Sequence, residues 1–478
     1  MKKRIFIIGL VFILVGIFTT SVVLAETHGG EASAGHASPY SAAFLGIVAL
    51  LFFARVGAMI EKIGQPSVLG ELVVGIILAG VALLPGFGIL NDLRDSELVK
   101  FVAEVGVIIL LFRTGLESNL GEMKKVGFRA FLVAIVGVIL PFVGGFFLAK
   151  WLMPGLETNT YLFLGATLTA TSVGITARVF KDLNFIKRRE AQIVLGAAVI
   201  DDVLGLLILA IVAGIVTAGS ISAGAIVWLT VKAVLFLGGA IIVGQLVAPL
   251  LGRFLSKVHP GVGMKTVLAL AFCAIFAESA VQFAGLAAIV GAFAAGLVLD
   301  PVHFKSFTPP SIVERLRYWA GKIGNDECCR EMEETAKHEE HAHVENLIDG
   351  LGTFFVPVFF VYTGLQVNLT AFTDLKTLGI ALAITLVAVL GKYLCGFVSG
   401  KGVNKALVGF GMVPRGEVGL IFANVGKQLG VVNDQMFAVA VIMVILTTLI
   451  TPLVLSVLIK KENQASGEIN LNSELQNV

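Results

Sequence analysis

The feature that most constrains this chain is a pair of adjacent aspartates, Asp201 and Asp202, in the middle of an apolar run over residues 193–216. The run is long enough to cross a bilayer, which takes about 20 helical residues. An ionised carboxylate at mid-membrane costs roughly 2.5–3.5 kcal/mol even on the mildest scale. Two acids side by side at that depth therefore predict a site for an ion or a proton.

Neighbouring side chains on a helix point about 100° apart, so the two aspartates do not share one environment. One carboxylate can pair with a buried cation while the other faces a cavity. Burial and a nearby second carboxylate both make a carboxylate hold its proton more tightly. A proton and a metal cation can then compete for the same oxygens. The alternative interpretation is a pair of acids that only holds helices together.

Composition indicates an all-α polytopic membrane protein and argues against a globular enzyme. Of 478 residues, 57% are hydrophobic and 14% are charged, whereas soluble domains carry about 25% charged residues. The net charge of +2 gives no indication of nucleic-acid binding, and the four cysteines do not form a spaced disulfide framework.

The N-terminus has the pattern of a signal peptide over residues 1–25. Lys2, Lys3 and Arg4 precede an apolar stretch, and Ala25 ends an acceptable cleavage site. The alternative is an uncleaved first span. Residues 26–39 are polar and are expected to lie outside the membrane.

Thirteen apolar segments follow, nine within residues 40–304 and four within 350–461. They cover residues 40–60, 66–86, 99–116, 127–152, 160–180, 191–217, 223–252, 263–283, 285–304, 350–366, 376–398, 404–427 and 435–459. An odd number of spans places the two ends of the mature chain on opposite sides. We expect an integral protein of the plasma (inner) membrane with its N-terminus outside and its tail, 462–478, in the cytoplasm.

The distribution of lysine and arginine gives the same orientation. Basic residues cluster at 124–125, 178–189, 253–257, 401–405 and 460–461, all on the predicted inner side. The predicted outer loops, such as 91–97 and 218–222, are acidic or uncharged. This is the positive-inside bias of membrane proteins.

The sequence contains a candidate internal repeat. Residues 74–80 of the second span resemble 290–296 of the ninth, and 114–120 after the third resemble 363–369 after the tenth. Each pair lies seven spans apart, so the copies run oppositely through the membrane. This predicts two inverted five-helix repeats, spans 2–6 and 9–13, as in secondary transporters. Chance similarity among Gly/Ala-rich helices is the alternative.

The fifth and twelfth spans, which the repeat pairs, are both expected to contain breaks. The fifth carries a hydroxyl run that includes Thr171 and Ser172, and the twelfth carries Pro414, Arg415 and Glu417 among glycines. Broken helices at matching positions indicate a transport site. Arg415 and Glu417 either complete that site electrostatically or form a structural ion pair.

Lys392, within the eleventh span, is the predicted partner of one aspartate, because a buried lysine needs a counter-charge. The alternative is a lysine that snorkels to the inner surface. Lys401 already marks that surface, roughly two and a half helical turns away.

Residues 165–176, 200–205, 285–297 and 411–420 together resemble the monovalent cation:proton antiporter-2 family. The resemblance covers residues 40–460. It implies thirteen helices in the NhaA-like fold, divided into a dimerisation domain and a moving core with crossed, discontinuous helices. It implies a homodimer in lipid that exchanges sodium, or lithium, for protons by an elevator motion, without a cofactor.

The resemblance also implies roles for individual residues. Asp202 would be the main cation- and proton-binding carboxylate, and Asp201 would be salt-bridged to Lys392. Thr171 and Ser172 would line the cation site. The Asp-Asp form resembles the electrogenic sodium/proton members, whereas the Kef-like potassium transporters usually lack the first aspartate. No nucleotide-binding domain follows residue 461.

The segment 305–349 departs from that family and is expected to be a cytoplasmic loop rich in Cys, His and Glu. If it is helical, His338 and His341 share a face with two glutamates, and this spacing, with Cys328 and Cys329 nearby, suggests a regulatory transition-metal site. The alternative is a solvated charged helix.

Four other functions compete with sodium/proton exchange. Potassium/proton exchange is possible on the same fold, and a metal-gated channel or sensor belongs to a different class. The sequence contains no nucleophile–base set that would indicate a membrane enzyme, and no P-loop that would indicate primary ATP-driven pumping.

Overall fold

The computed structural model describes residues 41–117, 127–218, 223–299, 304, 307–309, 311–322, 326–369 and 374–475. Regular structure in these ranges is helical throughout, without a strand. The all-α fold class is therefore confirmed. The predicted signal peptide and the polar segment 26–39 lie outside the described residues.

The α-helices of the described chain are, in order, α1 (Ser41–Gly57), α2 (Ser67–Val81), α3 (Ile89–Asp95), α4 (Glu97–Glu117), α5 (Phe128–Leu152), α6 (Thr158–Thr167), α7 (Val173–Asp182), α8 (Arg189–Ala218), α9 (Ala223–Val258), α10 (Val262–Ser279), α11 (Ala288–Val298), α12 (Ser311–Ala320), α13 (Asp326–Leu365), α14 (Leu375–Cys395), α15 (Lys405–Gly411), α16 (Glu417–Gln428) and α17 (Asp434–Leu475). Residues 41–105 with 357–369 form one compact unit, and 106–356 with 374–475 form a second, the core unit.

Eight helices of the described chain are long and apolar enough to cross a membrane. They are Ala43–Ile63, Phe128–Leu152, Arg189–Thr217, Thr230–Val258, Val262–Ala284, Asn346–Leu365, Leu375–Ser399 and Asp434–Gln464. These helices support an integral membrane protein. The other five predicted spans fail this criterion for identifiable physical reasons.

Two of those five spans correspond to α2 and α11, which are apolar but have only 15 and 11 residues. A third corresponds to α4, which carries several acidic and basic side chains within its 21 residues. The fifth and twelfth spans are interrupted, the fifth between α6 and α7 and the twelfth between α15 and α16. A short, charged or interrupted segment does not meet a test that needs a long apolar helix.

Much of the segment expected as a loop, 305–349, is helical. It contains α12 and the first part of α13, which runs unbroken for 40 residues. The premise that residues 326–349 form a helix is therefore met.

In the first unit, α2 and the end of α13 pack backbone against backbone. A Cβ on Gly75 would collide with the carbonyl oxygen of Val361, and a Cβ on Gly364 would collide with that of Leu72. Such close approach without side chains is a common way for helices to associate in lipid.

The core unit contains a contact of the same kind between α4 and α11. A Cβ on Gly115 would collide with the carbonyl oxygen of Phe293, and a Cβ on Gly296 would collide with that of Phe112. Both glycines lie in the segments that form the candidate internal repeat of the sequence.

The apolar interior of the core unit is built mainly by α5, α8, α15 and α17. It contains Val133, Val194, Leu407 and Leu455, each at 0% exposure. Helix α14 joins this interior where Gly391 meets Pro141 of α5, so closely that a Cβ on the glycine would lie 2.9 Å from the proline nitrogen. Both α8 and α14 pack against α5.

Helices α14 and α15 of the core unit each begin with a side-chain N-cap. Asp374 accepts the backbone N–H groups of Lys376 and Thr377 at 3.1 Å and the Thr377 hydroxyl at 2.6 Å. The Thr377 hydroxyl and then the Lys376 N–H stabilise the ionised form and hold the pKa of Asp374 below its ordinary value. Asn404 caps α15 in the same manner.

Replacing either close-packed glycine should destabilise the protein. Gly364→Ala or Gly296→Ala forces a methyl group against backbone that has no room to move, at a cost of about 1–3 kcal/mol. Thermal unfolding in detergent measures the effect. Gly379→Ala is the matched control, because Gly379 is helical and has no atom within 4 Å of the added methyl. Equal unfolding temperatures for all three variants would contradict this packing.

Candidate functional site

The two helix interruptions, residues 168–172 and 412–416, lie against each other. The backbone N–H of Ser172 donates to the carbonyl of Pro414 at 2.9 Å. The hydroxyls of Thr171 and Thr176 donate to the carbonyls of Met412 and Gly411 at 3.1 and 2.7 Å. Groups left unpaired at helix ends are thus satisfied across the crossing, as burial in a membrane requires.

The local sequence explains the break in the second of these segments. Pro414 has no N–H to donate to a helical hydrogen bond and disfavours helical geometry at the residue before it. Gly416 allows close approach, because a Cβ there would lie 2.7 Å from the Ser172 Oγ. The sequence therefore both ends α15 and admits Ser172 to the gap.

Glu417 begins α16 at this crossing. The Ser172 hydroxyl donates to its Oε2 at 3.2 Å, and the side chain is only partly buried. A carboxylate in the first turn of a helix is favoured by the helix dipole. Glu417 thus places a carboxylate acceptor beside the interruption.

Arg415 is fully buried and is not paired with Glu417 among the described residues. Its guanidinium donates to the carbonyls of Met412 and Val413, at 3.3 and 3.2 Å, and to that of Ala388 at 3.3 Å. The suggested structural ion pair between Arg415 and Glu417 is therefore not found. Arg415 instead ties the interruption to α14.

Lys392 and Asp201 form a buried ion pair. The Lys392 Nζ lies 2.6 Å from Asp201 Oδ1, and neither side chain is exposed. Lys392 is one helical turn beyond Ala388, which accepts from Arg415. The lysine does not snorkel to a surface, and the structure joins it to the aspartate that the resemblance named.

Asp202 is 6% exposed, unlike Asp201 at 0%. Its carboxylate interacts electrostatically with Asp201, Glu417 and Lys392. One turn further along α8, a Cβ on Gly205 would lie 4.0 Å from the Thr169 hydroxyl, at the start of the first interruption. Asp202 is thus held near the crossing without joining the Lys392 pair.

The structure adds residues that the sequence did not single out. Thr447 of α17 accepts the backbone N–H of Arg415 at 3.3 Å, and Thr448 donates to the Arg415 carbonyl. Both threonines are buried in an apolar helix. Hydroxyls in such a helix were a usable signal, but the sequence does not say which backbone groups they meet.

The suggested cysteine and histidine ligands lie too far apart along α13 to form one site. Cys329 donates its thiol hydrogen to the carbonyl of Ala320 at 2.8 Å, at the far end of α12. On a continuous helix, Cys329 and His338 are separated by about 14 Å along the axis. One ion therefore cannot bind both the cysteine pair and the histidine pair, and the side chains of His338 and His341 lie outside the described residues. No group of three potential ligands occurs elsewhere among the described side chains.

Interrupted helices crossing beside a buried acid–lysine pair define a class, the secondary transporters with broken membrane helices. Residues 46–323 and 330–461 match the family described as "Sodium/hydrogen exchanger, transmembrane". The chain belongs to the sodium/hydrogen exchanger family. It is a monovalent cation:proton antiporter and not an enzyme, as its sequence predicts.

Three curated relatives show how far the similarity extends. The high-affinity Na⁺/H⁺ antiporter NhaS3 of Synechocystis sp. is 35% identical, over 85% of this chain and 88% of that protein. The Na⁺/H⁺-K⁺ antiporter GerN of Bacillus cereus is 34% identical, over 83% and 90%. The Na⁺/H⁺ antiporter of Enterococcus hirae is 30% identical, over 87% and 98%.

A solved structure shares the fold. The sodium proton antiporter MjNhaP1 of Methanocaldococcus jannaschii at pH 8 superposes with a TM-score of 0.61, covering 86% of this chain and 95% of that chain. Sequence identity over the match is 17%, so this likeness concerns the fold alone.

Removing Lys392 alone should destabilise the protein more than removing the whole pair. Lys392→Met leaves Asp201 buried without a counter-charge, which costs about 3–5 kcal/mol, whereas Asp201→Asn with Lys392→Met removes both charges. Thermal unfolding in detergent checks the order. Lys100→Met, which breaks an exposed pair with Glu97, should change stability by about 0.5 kcal/mol or less. A double variant no more stable than Lys392→Met would contradict the assignment.

Proposed function

We propose that this protein exchanges sodium, or lithium, for protons, and that Asp202 is the carboxylate for which the cation and the proton compete. The observation that carries the proposal is the position of Asp202. It lies next to an aspartate already neutralised by Lys392 and near the crossing of two interrupted helices. One acid is thus free to bind an ion while its neighbour is paired.

The crossing supplies oxygen ligands suited to a small hard cation. The Thr171 hydroxyl donates its hydrogen to the Met412 carbonyl, and the Ser172 hydroxyl donates its hydrogen to Glu417. The lone pairs of both hydroxyl oxygens then remain for a cation. We propose that Asp202, Thr171, Ser172 and water hold the sodium ion.

The exchange cycle follows from charge balance. Asp202 releases its proton and takes a sodium ion, and the added positive charge weakens the hold of Asp201 on Lys392. Lys392 then loses its proton, and the part of the protein that carries the site moves relative to the rest. Sodium leaves on the other side of the membrane, and Asp202 and Lys392 regain their protons. Two protons per sodium would make the exchange electrogenic.

We propose thirteen spans arranged as two inverted repeats. The glycine contacts support this, because the contact of Gly75 with Gly364 repeats as that of Gly296 with Gly115. The third and tenth spans carry Gly115 and Gly364, which are also aligned in the candidate repeat of the sequence. The contacts favour aligning 70–78 with 291–299, five residues away from the register read from the sequence.

Sodium is favoured over potassium by the names of the relatives, which put Na⁺ first or alone. The Kef-like potassium role is not favoured. The name of GerN includes K⁺, so an ion series belongs in any transport assay.

We propose a plasma (inner) membrane protein with its N-terminus outside and its C-terminus in the cytoplasm. We also propose a homodimer in lipid. Helix α9 leaves a long row of large apolar side chains exposed, among them Trp228, Leu235, Leu246 and Phe254; lipid or a second copy would cover this row.

Asp202→Asn should abolish sodium-driven proton movement, because the amide carries no charge to neutralise the cation. Proteoliposomes with a pH-sensitive dye measure the movement, with sodium, lithium and potassium tested in turn at a clamped potential. Glu314→Gln, which neutralises an exposed carboxylate, should behave as the wild type. Retained exchange in Asp202→Asn would remove this residue from the proposed role, and movement with potassium alone would favour the rival ion.

A regulatory metal is proposed only for the histidine pair of α13. His338 and His341 lie three residues apart, a spacing at which side chains of a helix meet. Adding zinc should then change the transport rate of the wild type, and EDTA should reverse the change. The same additions should leave a His338→Ala, His341→Ala variant unaffected. An identical zinc response in both proteins would retire the idea.

A further inference from the structure

Three polar side chains meet at the start of α15, at the opposite end of that helix from the interruption. Glu190 Oε1 accepts the backbone N–H of Asn404 at 3.1 Å, and Glu462 Oε2 accepts the Asn404 side-chain amide at 2.6 Å. The Asn404 Oδ1 in turn accepts the N–H groups of Ala406 and Leu407 at 3.1 and 3.2 Å. We call Glu190, Asn404 and Glu462 the α15 anchor.

The anchor joins three helices through one asparagine. Glu190 is the second residue of α8, the helix that carries Asp201 and Asp202. Glu462 belongs to α17, and Asn404 is the N-cap of α15. Glu190 is 8% exposed, and a carboxylate so buried depends on the hydrogen bonds it accepts. Hydrogen bonds to ionised carboxylates are among the stronger ones in proteins.

The other end of α15 meets the proposed cation site. The Gly411 carbonyl accepts the Thr176 hydroxyl at 2.7 Å, and the Met412 carbonyl accepts the Thr171 hydroxyl at 3.1 Å. Helix α15 has seven residues, a length of about 10 Å. A link so short and regular moves as one piece, so a shift at Asn404 reaches the Met412 carbonyl and the hydroxyl bonded to it.

We propose that the α15 anchor positions α15 and thereby sets the affinity for the transported cation, although none of its three residues contacts that cation. Asn404 is a positioning residue that acts through Met412 and Thr171. The inference rests on the proposed function, because it takes Thr171 as a ligand of the cation.

Weakening the anchor should raise the KM for sodium and spare kcat. Asn404→Ser keeps an oxygen that can cap α15 but loses the amide that donates to Glu462. Its KM should rise about three- to tenfold, at most the factor that corresponds to the free energy of one hydrogen bond. Glu190→Ala should raise KM similarly. Glu190→Gln keeps an acceptor for the Asn404 N–H and should restore KM to within about twofold of wild type.

Asp374→Ala is the matched control. It removes a complete N-cap from α14, but among the described residues the Asp374 side chain hydrogen-bonds only to Lys376 and Thr377 of its own helix. It should lower the unfolding temperature as any lost cap does, and leave the KM for sodium unchanged. A general loss of helix stability would raise KM in this variant as well.

The test measures sodium-driven proton movement in proteoliposomes over a range of sodium concentrations. A wild type with saturable sodium dependence, together with anchor variants of unchanged KM, would overturn the inference and leave the proposed function standing. A wild type without sodium dependence would remove the proposed function and the inference with it. If Asn404→Ser fails to fold, the sodium-induced rise in unfolding temperature is compared for Glu190→Ala and Glu190→Gln. The same sodium dependence in both would also overturn the inference.

Discussion

The cost of holding charge away from water governs this structure. Asp201 and Lys392 are in contact at 2.6 Å with no exposed side-chain surface, and breaking such a pair costs far more than its formation gains. The pair therefore fixes α8 against α14 in the state described. It also decides the environment of Asp202, which remains on the same helix without the lysine.

A second cost, that of unpaired backbone groups, shapes the crossing of the interrupted helices. Each break frees carbonyls and N–H groups that a membrane interior cannot solvate. Threonine hydroxyls satisfy some of them, and the planar guanidinium of Arg415 donates to two, the carbonyls of Met412 and Val413, and also to the Ala388 carbonyl of α14. Arginine suits this position because its donors form a rigid fork. A charged side chain here replaces the hydrogen bonds that a continuous helix would have made.

The sequence was most informative where burial conflicts with polarity. Two acids and a lysine in apolar segments, and a proline among glycines, are costly in a membrane unless a partner or a function offsets the cost. The structure places these residues together. The sequence was least informative where many registers are equally apolar. For the proposed repeat, the glycine contacts favour a register of the second and ninth spans five residues away from the one read from the sequence, because Gly/Ala-rich helices match in several ways.

Hydrogen-bond partners that belong to the backbone were also not predictable from the sequence. Arg415 could be recognised as buried and important, but its acceptors are carbonyls, which every residue possesses. Hydrophobicity likewise could not show that α13 continues through a charged segment, because the residues around 326–349 satisfy helical geometry without forming an apolar stripe. Which residues share an element was thus harder to predict than which residues matter.

The glycine contacts have a consequence for how the helices respond to disturbance. Where α2 meets the end of α13, and where α4 meets α11, the closest atoms belong to the main chain. Side chains can change rotamer to absorb a nearby substitution or a thicker bilayer, but a carbonyl oxygen against an α-carbon has no second conformation to adopt. These two junctions therefore act as fixed spacers, and any adjustment of the bundle has to occur elsewhere.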